Sequence, residues 1–303
     1  MALLRPRPGR VDGRYLLYRY LAPDFQEMIQ QKAIHGATVD RIALTSMGSW
    51  SIRVHGEPEQ RAIAEVLGAL DNKIAANGRL ASTADSLAVA RFRQASTHDG
   101  IEGLTYADVA EVGGGGTPST TNPSYWEGDI PWATPTDVTG LPGPYLLGTA
   151  RNITSGGLRA CASSLYPKDS ILMTSRATIG AFAMATVPTA VNQSFIVASA
   201  TAPDGQWWLF HEMRSRVDDY LSVANGATFL ELSRGRFRSL PVLWADQSTL
   251  RSFGECVKPL HDAARQALVE GAQLAALRDA LLPELMSGRM RVKDAVREAE
   301  EVL

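Results

Sequence analysis

Five histidines, two cysteines and thirty-two carboxylates are the side chains from which this 303-residue chain could build a catalytic site. His35, His55, His98, His211 and His261 lie in turns or on helices, with no Gly-x-Ser-x-Gly elbow and no paired zinc ligands beside them. The carboxylates are scattered without the spacing of a nuclease metal site. Cys161 and Cys256 are far apart and lack a second ligand set, so they suggest neither a disulfide framework nor a zinc centre. Both are read as buried small hydrophobes. Gly113-Gly114-Gly115-Gly116 could cradle a phosphate, but no Gly-x-x-x-x-Gly-Lys-Ser/Thr pattern accompanies it, which favours a flexible turn. The expectation is a binding protein with no catalytic residue, metal or cofactor.

Asn122-Pro123-Ser124-Tyr125 resembles the Asn-Pro-Pro-Tyr box of amino-methyltransferases. Serine stands at its third position and no glycine-rich cofactor motif occurs elsewhere, so methyl transfer by this chain is not expected. Charge does not single out a nucleic-acid binder either. The whole chain is at −2, and residues 99–243 hold nine Lys and Arg against thirteen Asp and Glu, a balance of −4. Residues 1–56 are positive, eight basic against four acidic. Met1 to Arg14 carries four arginines and two prolines without the apolar core of a signal peptide, and no run approaches a membrane span. A cytoplasmic protein without membrane contact is expected.

The elements that would position any site are organised by a repeat. His35-Gly36-Ala37-Thr38 returns as Asn225-Gly226-Ala227-Thr228, 190 residues later, each time followed by an apolar stretch and a long helix. Gln60 to Gln247, and Leu87 to Leu274, are 187 apart, which places a three-residue indel between turn and helix. So long a period indicates duplication of a domain with its connecting helix rather than a solenoid. The first helix opens at Glu57-Pro58-Glu59-Gln60, with proline and acidic residues suited to a first turn. Its seam runs Ile63, Leu67, Leu70, Ile74, Ala81, Ala84, Ala88. The second runs Leu250, Phe253, Val257, Leu260, Ala264, Ala267, Gly271, Leu274, up to an interruption at Pro283. Two readings stay open for these thin seams: the helices pack on one another or a partner, or each packs on its own globular body.

Tyr15 to Leu21 looks helical and Ser49 to Val54 strand-like. Short apolar runs such as Ile171-Leu172-Met173 and Phe195-Ile196-Val197-Ala198, bounded by turn signals, describe residues 99–243 as a mostly β domain containing a helix over 205–223. The fold class is therefore α+β, with the long helices as an antiparallel, coiled-coil-like spacer and an incomplete first copy of an internal direct repeat.

The run Pro58 to Ile74 resembles the central conserved helix of specificity subunits of Type I restriction-modification systems, and Leu277 to Gly288 resembles the same family's distal helix end. Between them, Gly115-Gly116-Thr117-Pro118-Ser119, Tyr125 to Trp132, Ser175 to Gly180 and Asn192-Gln193 are similar to motifs of its target-recognition domains, in the family's order. The resemblance implies a subunit without chemistry of its own, whose recognition domains each read half of a split sequence in double-stranded DNA. It implies two antiparallel helices that serve as a ruler and as the dock for methyltransferase subunits, with restriction subunits joined through the complex. On it the chain divides into a remnant of a first recognition domain at 1–57, a central spacer helix at 58–98, a complete recognition domain at 99–243, and a distal helix and tail at 244–303. The candidate DNA contacts are Thr117, Ser119, Arg151, Arg159, Lys168, Ser175, Arg176, Thr178 and Arg234, types that reach groove edges or phosphates. A first domain this short departs from the family. It leaves open a truncated or mis-started product, inactive in DNA reading, or a half-subunit that associates with a second copy. A non-catalytic interaction scaffold is the competing expectation.

Overall fold

A computed structural model describes residues 4–7, 9–34, 41–97, 100–226 and 230–301. The repeated turn at 35–38 and the second half of the one at 225–228 thus lie outside the described residues. The chain forms two compact units, Met1–Gly78 with Val269–Leu303, and Arg79–Leu268.

In the first unit, α1 (Gly13–Leu21) starts at Asp12, whose carboxylate accepts the Tyr15 amide at 2.9 Å, and α2 (Pro23–Lys32) opens on a proline that has no amide to satisfy. A short helix α3 (Leu44–Met47) precedes the 39-residue α4 (Glu57–Ala95). No strand forms over Ser49 to Val54, contrary to the alternation read there. A strand needs a neighbour for its backbone groups. Here the Arg53 carbonyl is taken instead by the Arg19 guanidinium at 3.1 Å.

In the second unit, α5 (Tyr106–Val109) leads into β1 (Ala110–Gly113), and a single 3-10 turn at Pro123–Tyr125 into β2 (Trp126–Ala133). Then come α6 (Pro135–Thr139), β3 (Tyr145–Leu146), β4 (Asn152–Ile153), α7 (Ser155–Arg159), β5 (Ile171–Thr174), β6 (Phe182–Ala185), β7 (Ala190–Val191) and β8 (Phe195–Ala200). Helices α8 (Gln206–Ser215), α9 (Val217–Val223) and α10 (Arg234–Arg238) follow. The helix read over 205–223 is therefore two, broken at Arg216. One sheet has the order β1-β8-β5-β6-β3, antiparallel except for β3 beside β6, and a smaller one has the order β4-β2-β7. Ile171, Met173, Ile196 and Ala198 face the core shared with α5 and α8, while Leu172, Ala183 and Val197 face a second core with Val138 and Val191. Both faces are covered, which is why the strands read as continuous apolar runs rather than alternating ones.

The 41-residue α11 (Gln247–Ser287) and α12 (Val292–Glu300) complete the chain. Pro283 does not end α11. A proline deletes one amide donor, but Leu281, Leu285 and Met286 are buried in the first unit's core and hold the last turns in place. Within that unit α4 and α11 run antiparallel: Lys73 pairs with Glu270 at 3.0 Å and Asp71 with Arg278 at 2.8 Å, beside a seam of Ile63, Leu67 and Leu70 against Leu274 and Leu281. Within the second unit the alanine-rich stretch Ala81, Ala84 and Ala88 shares a core with Val257, Ala264 and Leu268. The helices thus pack on one another through a thin seam. Cys256 is exposed and Cys161 partly so, correcting the reading of both as buried. Cys256 falls between the seam positions Phe253 and Val257 and points to solvent.

The duplication is visible in three dimensions, with its register corrected. α4 and α11 start at Glu57 and Gln247, and α3 and α10 at Leu44 and Arg234, both 190 apart, whereas α1 and α8 start at Gly13 and Gln206, 193 apart. The three-residue step therefore lies upstream of the turn, not between turn and helix. Contacts repeat in this register: Tyr18 bonds Asp71 as His211 bonds His261, and Arg19 bonds the backbone of Arg53 as Glu212 bonds that of Leu243. The copies differ in cover. Phe210 and Met213, beneath the sheet, are fully buried, while their counterparts Leu17 and Tyr20 are 52% and 38% exposed and line an apolar groove of about 510 Å³.

Candidate nucleic-acid interface

The candidate residues gather at two adjoining places in the second unit. The first is the loop that leaves β1. Its chain bends through Gly113 to Gly116 because a Cβ at Gly113 would strike the Tyr166 hydroxyl and one at Gly115 the Val191 carbonyl oxygen. Beyond the glycines, Thr117 and Ser119 are exposed on either side of a buried Pro118. The Thr117 hydroxyl donates to Gln193 Oε1 at 2.7 Å, and the Ser119 hydroxyl bonds Thr121 at 2.9 Å. Arg151 lies beside this loop with its guanidinium 3.5 Å above the Trp126 ring, while the Trp126 indole donates to the Ser119 carbonyl at 3.1 Å.

The second place is a cleft of about 500 Å³ whose polar lining is Ser175, Arg176, Gln193, Glu231, Ser233, Arg234 and Arg238. The Ser175 amide donates to the Ser194 carbonyl at 2.8 Å and its carbonyl accepts from Leu232 at 2.9 Å, which seats the segment 230–234 along the cleft. Ser233 then caps α10 by accepting the Arg236 amide at 3.2 Å, so that Arg234, Arg236 and Arg238 emerge exposed from a single short helix. The Arg176 guanidinium meets Glu231 at 2.7 Å, and its Nε is buried without a hydrogen-bond partner among the described residues. Three of the nine basic residues of 99–243, Arg176, Arg234 and Arg238, thus line one cleft beside one carboxylate. The acidic balance of the whole segment hid this local positive field. Gln193 bridges loop and cleft, since it lines the second and bonds the first.

Thr117, Ser119, Arg151, Ser175, Arg176 and Arg234 are brought together in this way. Thr178 is exposed in the turn after β5, where Ala177 and Gly180 take positive φ of 60° and 87°. Arg159 is exposed at the end of α7. Lys168 belongs to another surface: its neighbour Asp169 pairs with Arg265 of α11 at 3.1 Å, and its charge helps hold the Asp262 carboxyl below the usual carboxylate range, after the larger effect of Lys258. Arg236 and Arg238 were missed, and Gln193, although part of the Asn192-Gln193 motif, was not among the candidate contacts. The arginine spacing in Arg234-Gly235-Arg236-Phe237-Arg238 was a legible signal, whereas the place of Gln193 was not.

Two buried polar clusters behind this surface could be mistaken for chemistry. His211 Nε2 and His261 Nε2 approach to 2.9 Å, and the Tyr145 hydroxyl bonds His261 Nδ1. Burial drives both imidazoles toward the neutral form, His211 to about 2 and His261 to about 4, and the two are 2% and 1% exposed, beyond the reach of a substrate. Glu212 accepts from the Tyr106 hydroxyl and from the Leu243 amide at 3.2 Å, and burial raises its carboxyl to about 7. It ties α5, α8 and the strand-like segment 240–244 together. No group of three or more metal-ligating side chains occurs among the described residues, and no described helix is long and apolar enough to cross a membrane.

Residues 99–243 match the family described as Type I restriction modification DNA specificity domain. The chain is 37% identical over 139 residues to the Type I restriction enzyme MjaIX specificity subunit of Methanocaldococcus jannaschii, covering 45% of this chain and 32% of that one. It is 36% identical over 96 residues to the EcoprrI specificity subunit of Escherichia coli, covering 31% and 23%. The fold superimposes on the crystal structure of a Type-I restriction-modification system S subunit from M. genitalium with a TM-score of 0.62, at 16% identity, over 92% of this chain and 74% of that one. The segment carrying loop and cleft is a DNA specificity domain of that family. The chain spans less than half the length of the curated relatives it matches.

Proposed function

We propose that this chain reads one half of a split double-stranded DNA target through the loop and cleft of residues 99–243, and performs no bond chemistry itself. Arg176, Arg234 and Arg238 take phosphate oxygens, while Thr117, Ser119 and Gln193 face base edges. Helices α4 and α11, about 58 and 62 Å long at 1.5 Å per residue, dock methyltransferase subunits and through them restriction subunits, in the cytoplasm. In this reading 1–57 is the part of a first recognition domain next to its spacer helix, 58–98 and 244–303 are the spacer helices, and 99–243 is the complete reader. The observation that carries it is the concentration of arginines at one cleft of an otherwise acidic domain that matches a DNA specificity family.

Fluorescence anisotropy of a labelled 30-base-pair duplex between 50 and 200 mM salt tests it. Each phosphate contact contributes about 0.9 to the slope of log affinity against log salt, so replacing Arg234 and Arg238 together by alanine lowers the slope by about 1.8. No duplex binding by the full chain, alone or with methyltransferase subunits of its system, refutes the reading.

A further inference from the structure

The loop from Gly113 to Ser119 is anchored along its backbone at three of its carbonyls. Tyr166 donates its hydroxyl to the Gly114 carbonyl at 2.5 Å, the Trp132 indole donates to the Gly116 carbonyl at 3.0 Å, and the Trp126 indole to the Ser119 carbonyl at 3.1 Å. The Gly116 amide in turn donates to the Val191 carbonyl at 3.1 Å. The two tryptophans stand near opposite ends of β2, 6% and 5% exposed, with their rings edge to face at 5.1 Å. Tyr166 is fixed from a third direction by its backbone bridge to Thr189. Three aromatic donors from separate parts of the fold therefore converge on three carbonyls within six residues. The glycines allow the close seating, since at Gly116 a Cβ would lie 2.9 Å from the Ala162 amide nitrogen.

Such fastening does nothing for phosphate binding, which falls to arginines on β5's turn and α10. It matters for hydrogen bonds to base edges, where a donor displaced by an ångström no longer distinguishes one base pair from another. We propose that Tyr166, Trp132 and Trp126 are positioning residues for sequence discrimination: they fix Thr117 and Ser119 in one geometry against the DNA, so that selectivity, not general affinity, depends on them. The proposal rests on the reading that this surface binds DNA.

The experiment compares the full wild-type chain with Tyr166→Phe and Trp132→Phe by selection from a pool of duplexes with a randomised central segment. Anisotropy on a fixed random-sequence duplex and amide exchange of residues 114–119 accompany it. Tyr166→Phe keeps the ring and removes only the donor, so it folds even where the tryptophan variant suffers. The expected result is faster loop exchange and about a tenfold fall in enrichment of the wild-type sequence, with random-duplex affinity within about twofold. Unchanged enrichment despite faster loop exchange overturns the proposal. So does an equal fall in enriched and random binding, which marks a merely structural role. A wild-type chain that binds the random duplex but enriches no sequence also overturns it while leaving DNA binding intact, whereas a wild-type chain that retains no duplex refutes the DNA reading itself.

Discussion

The stability of the second unit should fall as pH drops from 6 to 5, and replacing Glu212 by glutamine should steepen that fall. Three buried groups decide the slope in this window. His211 and His261 have folded values of about 2 and about 4 against 6.5 when solvated. Their depressed values contribute stability that is present above pH 6.5 and lost as the pH falls, because the unfolded chain takes up a proton at each while the folded chain does not. Glu212 acts oppositely: its folded value of about 7, raised by burial from 4.5, contributes stability present below pH 4.5 and lost as the pH rises through 7. Between pH 5 and 6 unfolding therefore takes up about two protons at the histidines and releases about one at Glu212, a net of about one, or about 1.4 kcal/mol per pH unit. The lowered carboxyls of Asp24, Asp108, Asp246, Asp262 and Glu284 titrate below this window. In Glu212→Gln the opposing proton is gone and the slope doubles to about 2.7 kcal/mol per pH unit. Urea unfolding followed by tryptophan fluorescence measures it, since five of the six tryptophans lie in the second unit. A flat wild-type profile, or a slope that Glu212→Gln leaves unchanged, would show that these groups are hydrated or paired differently from the geometry described.

The unequal cover of the two repeat copies sets a second outcome: Phe210→Ala should cost about 3–5 kcal/mol and its counterpart Leu17→Ala less than about 1, measured by denaturant unfolding of each variant, and equal costs would mean that the exposed face is covered in solution. Gly115→Ala pushes a methyl group into the Val191 carbonyl and must break the Gly116 to Val191 bond, so a loss of about 2 kcal/mol or more is expected in the same assay. Asn77 is 5% exposed, and its Nδ2 has no partner among the described residues. Asn77→Leu should therefore raise stability by about 1 kcal/mol, and a thermal melt lower than wild type would refute the assignment of an unsatisfied amide.

Particular residues show why parts of this molecule were readable and others not. The long helices announced themselves because Ile63, Leu67 and Leu70 recur at helical spacing, a local property that packing then reinforced. Pro283 misled because its local cost is outweighed by the burial of Leu281 and Leu285, which depends on α1 and α4. Ser49 to Val54 misled for the converse reason, having the alternation of a strand but no neighbour to pair with. In the candidate interface, Thr117, Ser119, Ser175 and Arg176 stand in the motifs and Arg234 is picked out by its residue type, while Arg238 and the pairing of Gln193 with Thr117 emerge only when residues up to 76 positions apart are brought within bonding distance.

By itself the sequence determined the duplication, the two amphipathic helices, the apolar strands and the glycine-rich turn, because each is a matter of spacing within a short window of chain. The tertiary structure alone decided that β5, β8 and α10 set Arg176, Arg234 and Arg238 around a single cleft, that three aromatic donors fasten the loop beside it, and that His211 and His261 share a buried contact. Those are relations between groups distant along the chain, and only the folded backbone fixes the distances and the loss of water on which their charge and hydrogen bonding depend.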